Sequence, residues 1–443
     1  MTKTARQTAF ELLRRLETSN SYSNIALDAK LSESGLDQRD KAFVTALFYG
    51  VLESRITLDA VISRYSKLPE EKLTADVRSI LRMGIYQLLY MDSVTDAAAV
   101  NESVLLAEYC RKKSAKGFIN AILRAFIRDG KQLPIIDKAN SFTDYLSISY
   151  SCPGWLAEKW VRDYGAEQAE LILKHSLGRP PITLRVNTLR ITAEALVRRL
   201  TAEGAAVSEH PFVEDCLVLQ RGGDIERLPS YQEGLFWVQD IASQLCCAAL
   251  DPRPGERVLD LCAAPGGKSF TSAVRMHNDG LLEAFDLSPK RAGLIEQGAK
   301  RLGLTNIRVK AADARRYLPE LAGADRVLCD VPCSGLGVIR RKPEIKYKSP
   351  EELARLPEIQ AAILRNGARY VRPGGILLYS TCALSREENE HNAERFLNEN
   401  TDFEPYCFPE KYQRILGKEH MATLFPDKTG SDGFFLAIFQ RRL

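Results

Sequence analysis

The chain has 443 residues, of which 45% are hydrophobic and 27% are charged, and its formal net charge is only +4. These values are those of an ordinary soluble protein that is long enough for two or three domains. No apolar run approaches the ~18 residues that a membrane-spanning helix needs, so we expect no contact with a membrane.

The start of the chain predicts a helix and no secretion signal. In MTKTARQTAFELLRRLE the residues Ala9, Leu12, Leu13 and Leu16 share one helical face, and no small-residue cleavage site follows a long uncharged run. The ten cysteines include no C-x-x-C pair, which argues against a zinc site and against a disulfide framework. We therefore expect a cytoplasmic protein with free thiols and no metal.

Residues 1–130 predict a compact helical domain, because apolar side chains recur there at three- and four-residue spacing between short turns. The basic excess of the protein lies at this end. Residues 1–140 hold 21 of the 61 lysines and arginines and 17 of the 57 acidic residues, which leaves 40 of each for the remainder.

One basic run, residues 111–128, contains six positive residues and no acidic one. On a helix these side chains lie beside an apolar face, and for a single run a solvated surface is the more common explanation. A basic stripe on an otherwise balanced protein is also the electrostatic footprint expected for binding to phosphate backbones. The positive residues are Arg111, Lys112, Lys113, Lys116, Arg124 and Arg128.

The middle of the chain changes character. Residues 131–144 indicate a linker, because they lack apolar periodicity. From 145 to 235 helical and strand patterns alternate, which predicts a small α+β domain of RRM-like type, and we expect this domain to position a substrate. Residues 235–250 predict a helix that leads into the last domain.

Strand and helix patterns alternate with short connections from residue 254 to the end of the chain, within a predicted domain at 236–443. Such alternation indicates a doubly wound, mostly parallel sheet with right-handed crossovers. Ligands of these sheets bind beyond the carboxyl ends of the strands, so residues at those ends are candidates for function.

The first strand of this domain runs into DLCAAPGGKS at residues 260–269. Two glycines and a proline at a strand–helix turn allow a ligand to approach the backbone, and the following helix offers free N–H groups. The segment is neither a phosphate loop of the G-x-x-x-x-G-K-[ST] type nor a G-x-G-x-x-G turn. A tight connection without a ligand explains this segment equally well when it is considered alone.

The next three predicted strands end in Asp286, Asp313 and Asp330. Each aspartate by itself is more simply explained as the N-cap of a helix. Three of them beside a glycine turn indicate a ligand rich in hydroxyl and amino groups, and Asp286 follows Gly267 at the distance at which nucleotide-binding sheets hold a ribose diol. Because no phosphate loop is present, we predict a nucleoside-like cofactor without phosphate, and S-adenosylmethionine fits this description.

Two cysteines also follow predicted strands, Cys333 in CDVPCSG and Cys382 in YSTC. A nucleophilic thiolate needs an open site such as a loop at a strand end, and both positions meet this condition. The cysteines with apolar neighbours are expected to be inert packing residues, and these are Cys246, Cys247, Cys262 and Cys329.

Taken together, DLCAAPGGK, Asp286, Asp313, DVPCSG and YSTC resemble the motifs of the NOL1/NOP2/Sun group of RNA cytosine-5 methyltransferases. The segments VQDIASQL and GLGVIRRKPEIKYK also match, and the helical region resembles NusB, an RNA-binding module. The combination is similar to that of bacterial members that act on small-subunit ribosomal RNA. It implies a multidomain protein with an all-α NusB-like domain at 1–130, the small α+β domain at 145–235 and an α/β Rossmann-like class I methyltransferase domain at 236–443.

The resemblance also implies a role for each motif residue. Cys382 would attack carbon 6 of cytosine, Cys333 would release the product by elimination, and Asp330 would hydrogen-bond the cytosine beside the cofactor. S-adenosylmethionine would contact Asp286 at the ribose, Asp313 at the adenine, and the loop residues Cys262, Ala263, Ala264, Pro265, Gly266, Gly267 and Lys268. RNA phosphates would contact Arg111, Lys112, Lys113 and Lys116, and also Arg340, Arg341, Lys342, Lys346 and Lys348, although a solvated loop explains the second group as well.

Chemistry alone leaves several points open. Carbon 5 of cytosine is not nucleophilic until another atom adds to the ring, so a thiol must add first and a second acid–base group must then restore the double bond. Spacing does not determine which cysteine attacks. The alternative functions are a methyltransferase acting on transfer RNA, another RNA or DNA, and a non-catalytic RNA-binding assembly factor, against which the intact Cys333 and Cys382 argue. We expect a monomer.

Overall fold

The computed structural model describes residues 3–18 and 23–443. The chain forms two compact units. Unit 1 contains Met1–Gly178 and the later segment Ile339–Lys348, and unit 2 contains Arg179–Val338 and Ser349–Leu443. Within the described ranges, no helix has both the length and the apolar character that crossing a lipid bilayer requires.

The described part of unit 1 is helical, as the apolar spacing predicts. Its helices surround a core in which Leu47, Phe48 and Phe126 are completely buried. The helices are α1 (Ala5–Thr18), α2 (Ser23–Glu33), α3 (Gln38–Glu53), α4 (Arg55–Tyr65), α5 (Ala75–Tyr90), α6 (Asp96–Tyr109), α7 (Lys116–Arg128), α8 (Phe142–Ser149), α9 (Gly154–Tyr164) and α10 (Ala166–His175).

One buried cation joins three of these helices. Arg82 of α5 is 2% exposed. Its guanidinium donates to both carboxyl oxygens of Asp59 in α4 at 2.6 and 2.7 Å, and to Glu17 in α1 at 2.9 Å. A guanidinium is tolerated in a protein interior when charged partners take its hydrogen bonds, so this cluster holds α1 and α4 against α5.

Unit 2 begins with a small antiparallel sheet. Its elements are β1 (Ile182–Val186), α11 (Ala193–Ala202), β2 (Ala206–Glu209), β3 (Cys216–Arg221), α12 (Pro229–Gln232) and β4 (Phe236–Val238). The strand order is β2-β3-β1-β4. Leu184, Leu217 and Phe236 from the strands share one buried cluster with Leu196 and Leu200 of α11, which gives this part of the unit its own core.

The helix predicted over residues 235–250 is wrong in its first part. Phe236–Val238 form strand β4, which pairs with β1, and the helix, α13, is limited to Ile241–Leu250. Asp240 sets the boundary, because its side chain accepts a hydrogen bond from the Ala242 amide as the N-cap of α13. Buried apolar residues on both sides of this cap made the strand and the helix indistinguishable in the sequence.

A large mixed sheet with its helices forms the rest of unit 2. The elements are β5 (Arg257–Asp260), α14 (Gly267–Arg275), β6 (Leu281–Asp286), α15 (Pro289–Leu302), β7 (Ile307–Ala311), β8 (Ala324–Asp330), α16 (Pro350–Leu353), α17 (Leu356–Ala368), β9 (Val371–Thr381), α18 (Glu390–Glu399), β10 (Phe403–Pro405), α19 (Gln413–Leu416), β11 (Met421–Leu424), α20 (Pro426–Thr429) and β12 (Phe434–Arg441).

The strand order of this sheet is β10-β12-β9-β8-β5-β6-β7, and β11 also pairs with β12. Strands β5 to β9 run parallel, whereas β10, β11 and β12 are antiparallel to their neighbours. The predicted doubly wound, mostly parallel sheet is therefore confirmed, with antiparallel strands added at one side. The carboxyl ends of the parallel strands meet at one edge, where the predicted site residues follow them.

Candidate active site

The loop after β5 brings backbone groups to this edge of the sheet. The Ala263 amide donates to the Phe285 carbonyl of β6 at 2.7 Å, and the Gly266 amide donates to the Ala263 carbonyl at 2.7 Å. The Ala264–Pro265 peptide bond is cis. Gly266 has a φ of +111°, and a Cβ atom there would lie 2.3 Å from the Phe270 ring, so this position requires glycine.

Helix α14 starts directly after this loop. Its N-cap, Gly266, provides no side-chain hydrogen bond to the first turn. The first N–H groups of a helix lack partners within the helix and lie at the positive end of its dipole, so they suit a carboxylate ligand. The methionine part of S-adenosylmethionine carries such a carboxylate.

Asp286, at the end of β6, is 4% exposed. Its Oδ1 accepts a hydrogen bond from the Ser288 amide at 2.9 Å, and its Oδ2 lies 3.5 Å from Arg291 Nη1. A carboxylate has about four lone-pair positions, so Asp286 retains acceptor capacity for ribose hydroxyls.

Asp313, which follows β7, is held by Arg315. The Arg315 side chain donates to its two carboxyl oxygens at 2.9 and 2.7 Å, and the Arg315 amide donates at 3.0 Å. These hydrogen bonds lower the pKa of Asp313 to about 2. The uncapped helix and the two strand-end carboxylates together fit S-adenosylmethionine, which has a carboxylate, a ribose diol and an adenine amino group but no phosphate.

Asp260 lies beneath the loop as the last residue of β5 and is 1% exposed. The Ser269 hydroxyl donates to its Oδ2 at 2.6 Å. Burial raises the pKa of Asp260 to about 7. The folded protein therefore holds this proton more tightly than the unfolded chain, in which an aspartate has a pKa near ~3.9.

This shift predicts a pH-dependent effect of the substitution Asp260→Asn. The contribution of Asp260 to stability falls as the pH rises from about 4 to about 7, and stays constant above that range, because burying the ionised form costs free energy. Asparagine does not titrate, so the stability of the variant relative to the wild type should increase over this pH window. The difference in the free energy of unfolding should change by at most roughly 4 kcal/mol, and the Tm difference should rise accordingly. Thermal unfolding without ligands measures it. Glu296→Gln, at an exposed position in the same unit, should give a nearly constant difference.

An ion pair lies at the carboxyl ends of the parallel strands, where Asp330 ends β8. Lys268 Nζ is 2.8 Å from Asp330 Oδ2 and 3.2 Å from Ser243 Oγ, and the Ser380 hydroxyl donates to Asp330 Oδ1 at 2.8 Å. Burial opposes the charge of Lys268, but the neighbouring Asp330 carboxylate raises the lysine pKa above its usual value. Sequence reasoning missed Ser380, although it stands in the YSTC motif and pairs with Asp330 in the register of β8 and β9.

The two predicted catalytic cysteines are adjacent in space. Cys333 Sγ and Cys382 Sγ are 3.2 Å apart, and both residues are partly exposed. The hydrogen bond with Cys382, together with burial, raises the pKa of the Cys333 thiol well above its usual value. Either sulfur can donate this hydrogen bond to the other.

The other cysteines of this region differ in exposure. Cys246, Cys247 and Cys329 are completely buried, which agrees with the predicted packing role, whereas Cys262 in the cofactor loop is half-buried. Burial raises the pKa of Cys262 well above its usual value, so it is protonated. Among the described residues, no group of three or more His, Cys, Asp or Glu side chains is arranged to hold a metal ion.

The predicted phosphate-binding residues lie in unit 1, and three of them have acidic neighbours. Lys113 and Lys116 lie 3.6 and 3.2 Å from Glu108, and Lys112 lies 3.7 Å from Asp76. Arg111 and Lys113 are exposed, and Arg340, Arg341 and Lys342 are half-buried.

Lys346 corrects one sequence expectation. It is 4% exposed, and its ammonium donates to the Glu53 carbonyl at 2.6 Å. Burial lowers the pKa of Lys346 to about 8. The side chain anchors the segment after Lys342 in unit 1, so it does not contact RNA phosphates as the charge pattern indicated. Lys348 is half-buried.

Comparisons with known proteins cover the whole length of the chain. Family models match at residues 3–128 (NusB family), 152–226 (RsmF/B-like ferredoxin-like domain) and 247–440 (16S rRNA methyltransferase RsmB/F). A probable ribosomal RNA small subunit methyltransferase B of Bacillus subtilis is 38% identical, with both chains completely covered. The chain belongs to the RsmB/F family of 16S rRNA methyltransferases. The resemblance to the NOL1/NOP2/Sun group and to NusB is thereby confirmed.

Two further relatives agree with this assignment. A probable ribosomal RNA small subunit methyltransferase B of Synechocystis is 34% identical over 98% of both chains. The solved structure of a protein named PH0851 is 27% identical and superposes with a TM-score of 0.81 over both complete chains. As an RsmB/F family member, this chain is an S-adenosylmethionine-dependent rRNA methyltransferase with a NusB-like helical domain, a small middle domain and an α/β methyltransferase domain.

Proposed function

We propose that this RsmB/F family member transfers a methyl group from S-adenosylmethionine to carbon 5 of a cytosine in small-subunit ribosomal RNA, through a covalent bond between a cysteine and carbon 6. The observation that carries the proposal is the 3.2 Å distance between Cys333 Sγ and Cys382 Sγ at the cofactor edge of the sheet. Two sulfurs this close together can act on the adjacent carbons of one pyrimidine.

In the first step the Cys382 thiolate adds to carbon 6 of the cytosine and forms a carbon–sulfur bond. The electron pair of the 5,6 double bond moves towards carbon 5 and the ring nitrogen, so carbon 5 becomes nucleophilic. S-adenosylmethionine, when bound, supplies an electrophilic methyl group on a positively charged sulfur. The choice of Cys382 as the nucleophile rests on the position of its TC motif in the family pattern.

In the last step Cys333 first releases its own proton to solvent and then, as a thiolate, takes the proton from carbon 5, directly or through a solvent molecule. The electron pair of that carbon–hydrogen bond restores the 5,6 double bond, and the carbon–sulfur bond to Cys382 breaks. Cys382 leaves as a thiolate, so the protein returns to its starting state. A base close to the nucleophile is needed for this elimination, and Cys333 Sγ lies 3.2 Å from Cys382 Sγ.

Asp330 and Lys268 hold the base during these steps. Asp330 accepts a hydrogen bond from the cytosine amino group, and its ion pair with Lys268 at 2.8 Å sets the direction of the carboxylate. Lys268 also keeps positive charge close to the ring, which stabilises the electron density that develops at the ring nitrogen and oxygen after the addition. The base must leave its stack to reach this edge, which is least costly in a single-stranded RNA loop.

The other predicted residues hold the cofactor and the RNA. Asp286 accepts hydrogen bonds from the ribose hydroxyls, Asp313 from the adenine amino group, and residues 262–268 contact the methionine part. The proposed domains are the RNA-binding helical domain at 1–130, the substrate-positioning domain at 145–235 and the catalytic domain at 236–443.

Trapping with RNA that contains 5-fluorocytosine tests the proposal. Fluorine at carbon 5 cannot leave as a proton, so the elimination stops and the protein remains bound to the RNA through Cys382. We expect a covalent product that depends on S-adenosylmethionine, that survives denaturation, and whose RNA-linked peptide contains Cys382. Transfer RNA and DNA with the same modified base serve as comparison substrates, and equal trapping on them would contradict the choice of ribosomal RNA. A complete absence of trapping on every substrate would contradict the covalent mechanism.

Charge reversal in the basic clusters should weaken RNA binding. We expect Arg111→Glu with Lys113→Glu, and Arg341→Glu with Lys342→Glu, to raise the Kd for RNA. Each lost phosphate contact should also reduce the slope of log K against log salt by about 0.7 to 0.9. Filter binding over a range of salt concentrations measures both quantities. The matched control is Lys67→Glu with Lys72→Glu, which changes the charge of exposed residues elsewhere in unit 1 by the same amount. If all three double variants bind alike, the clusters do not contact RNA.

A further inference from the structure

Two adjacent buried residues, Glu388 and Asn389, follow the Cys382 loop. Glu388 is 4% exposed and Asn389 is completely buried. The mechanism above uses neither side chain, and neither was identified from the sequence. Buried polar side chains are normally hydrogen-bonded, so their partners indicate what they hold in place.

Glu388 holds the Cys333 loop. Its Oε2 accepts hydrogen bonds from the Ser334 amide at 2.9 Å and from Gln360 Nε2 at 2.8 Å. The same nitrogen of Gln360 donates to the Pro332 carbonyl at 3.0 Å. The residues on both sides of Cys333 are therefore bound, one directly to Glu388 and the other through Gln360.

Asn389 holds the Cys382 loop in the same manner. Its Oδ1 accepts a hydrogen bond from the Thr381 hydroxyl at 2.6 Å, and its Nδ2 donates to the Ala383 carbonyl at 2.9 Å. The Ala383 amide donates in turn to Thr381 Oγ1 at 3.2 Å. The residues on both sides of Cys382 are therefore bound to Asn389.

We propose that Glu388 and Asn389 are positioning residues that together set the distance between the two catalytic thiols. A single peptide bond joins them, so neither cysteine loop can move without the other unless one of these hydrogen bonds breaks. Their own backbone is also held, because both amides donate to the Ser385 carbonyl at 3.1 Å and the Tyr379 hydroxyl donates to the Glu388 carbonyl. The inference rests on the two-thiol function proposed above.

The distance matters because attack and release occur at neighbouring carbons of one base. Both sulfurs must reach that base without a large movement between the two steps. A misplacement of about 1 Å can cost roughly 100-fold in rate at an active site. A pair of buried side chains that fixes both loops from one point avoids this loss.

The first test measures proximity without cofactor or RNA. Diamide, which accepts two hydrogens, converts two neighbouring thiols into a disulfide, and peptide mapping reports the rate for Cys333 with Cys382. We expect Glu388→Ala and Asn389→Ala each to slow this reaction by roughly tenfold or more relative to the wild type, since they release one loop. Glu388→Gln should restore the rate, because the amide oxygen can accept the same two hydrogen bonds. Controls are Glu394→Ala and Asn398→Ala, at exposed positions of α18.

The second test measures separately, during catalysis, the effect of Glu388 on the Cys333 loop and of Asn389 on the Cys382 loop. In the methylation assay, Glu388→Ala should behave as a weakened Cys333 and accumulate the covalent protein–RNA adduct. Asn389→Ala should behave as a weakened Cys382 and form the adduct more slowly. For both variants kcat should fall while the KM for RNA stays close to that of the wild type.

A merely structural role predicts a different pattern. In that case the variants lower Tm, but the folded fraction forms the disulfide and the adduct at wild-type rates, and this result would overturn the proposal. If Glu388→Ala does not fold, Gln360→Met removes the hydrogen bonds from the Gln360 amide to the Pro332 carbonyl and to Glu388, and an unchanged disulfide rate then overturns the role of Glu388 and Gln360 in holding the Cys333 loop. If the wild-type protein traps RNA but the variants form the disulfide at the wild-type rate, only the positioning role of Glu388 and Asn389 is contradicted. Wild-type protein that traps no RNA contradicts the proposed function.

Discussion

Replacement of Cys382 by alanine is expected to abolish both methyl transfer and the covalent protein–RNA adduct. Without the sulfur nothing adds to carbon 6, so carbon 5 stays unreactive towards the methyl donor. Loss of an enzymic nucleophile typically lowers kcat by a factor of at least roughly 10⁴. Transfer of a labelled methyl group to ribosomal RNA measures the rate, and denaturing electrophoresis with 5-fluorocytosine RNA measures the adduct.

The same variant should retain its ligands. Cys382 is partly exposed, so a shorter side chain leaves the core intact, and the Kd values for S-adenosylmethionine and for RNA should stay near those of the wild type. Cys407→Ala, at an exposed cysteine, is the matched control and should be fully active. An adduct that forms normally in the Cys382→Ala protein would mean that Cys333 is the nucleophile and that the two roles are exchanged.

Replacement of Cys333 by alanine should have the opposite signature, a covalent adduct that accumulates on ordinary RNA. Cys382 can still add to the ring and carbon 5 can still be methylated, but the carbon 5 proton is no longer removed. General acid–base groups usually contribute about 10²- to 10⁴-fold, so multiple turnover should fall by a factor in that range. The first turnover should produce a burst of methyl incorporation close to one per protein molecule.

Mass spectrometry of the trapped complex decides the outcome for Cys333. The expected species carries one methylated cytosine bound to Cys382. The Cys407→Ala protein should release its product and show no such species. If Cys333→Ala turns over at the wild-type rate without an adduct, another base performs the elimination, and Asp330, which the proposed mechanism places beside the same cytosine, is then the candidate.

Local patterns in the sequence predicted much of the fold. The apolar spacing in residues 1–130 gave the helical domain, and the alternation after residue 254 gave the parallel sheet. The missed strands are β2, β4, β10 and β11, which have only three or four residues each. Strands this short carry little periodicity of their own, and they form because neighbouring strands supply hydrogen bonds.

For the candidate site, too, short sequence motifs predicted some residues and missed others. The motifs identified Cys333, Cys382 and the strand-end aspartates, because parallel strands bring their carboxyl ends to one edge. Sequence reasoning did not find the partners of these residues. Glu388 lies 55 positions after Cys333 in the chain, and Lys346, which the charge pattern assigned to RNA, is in the interior of unit 1.

Short runs of consecutive residues were enough to identify the groups available for chemistry, which are two thiols, strand-end carboxylates and a glycine loop. The folded structure was needed to show the 3.2 Å distance between the sulfurs, the ion pair of Lys268 with Asp330, and the Cys382 hydrogen bond and burial that raise the pKa of Cys333. The physical reason is that composition and periodicity depend on neighbours in the chain, whereas distances, hydrogen bonds and pKa values depend on neighbours in space.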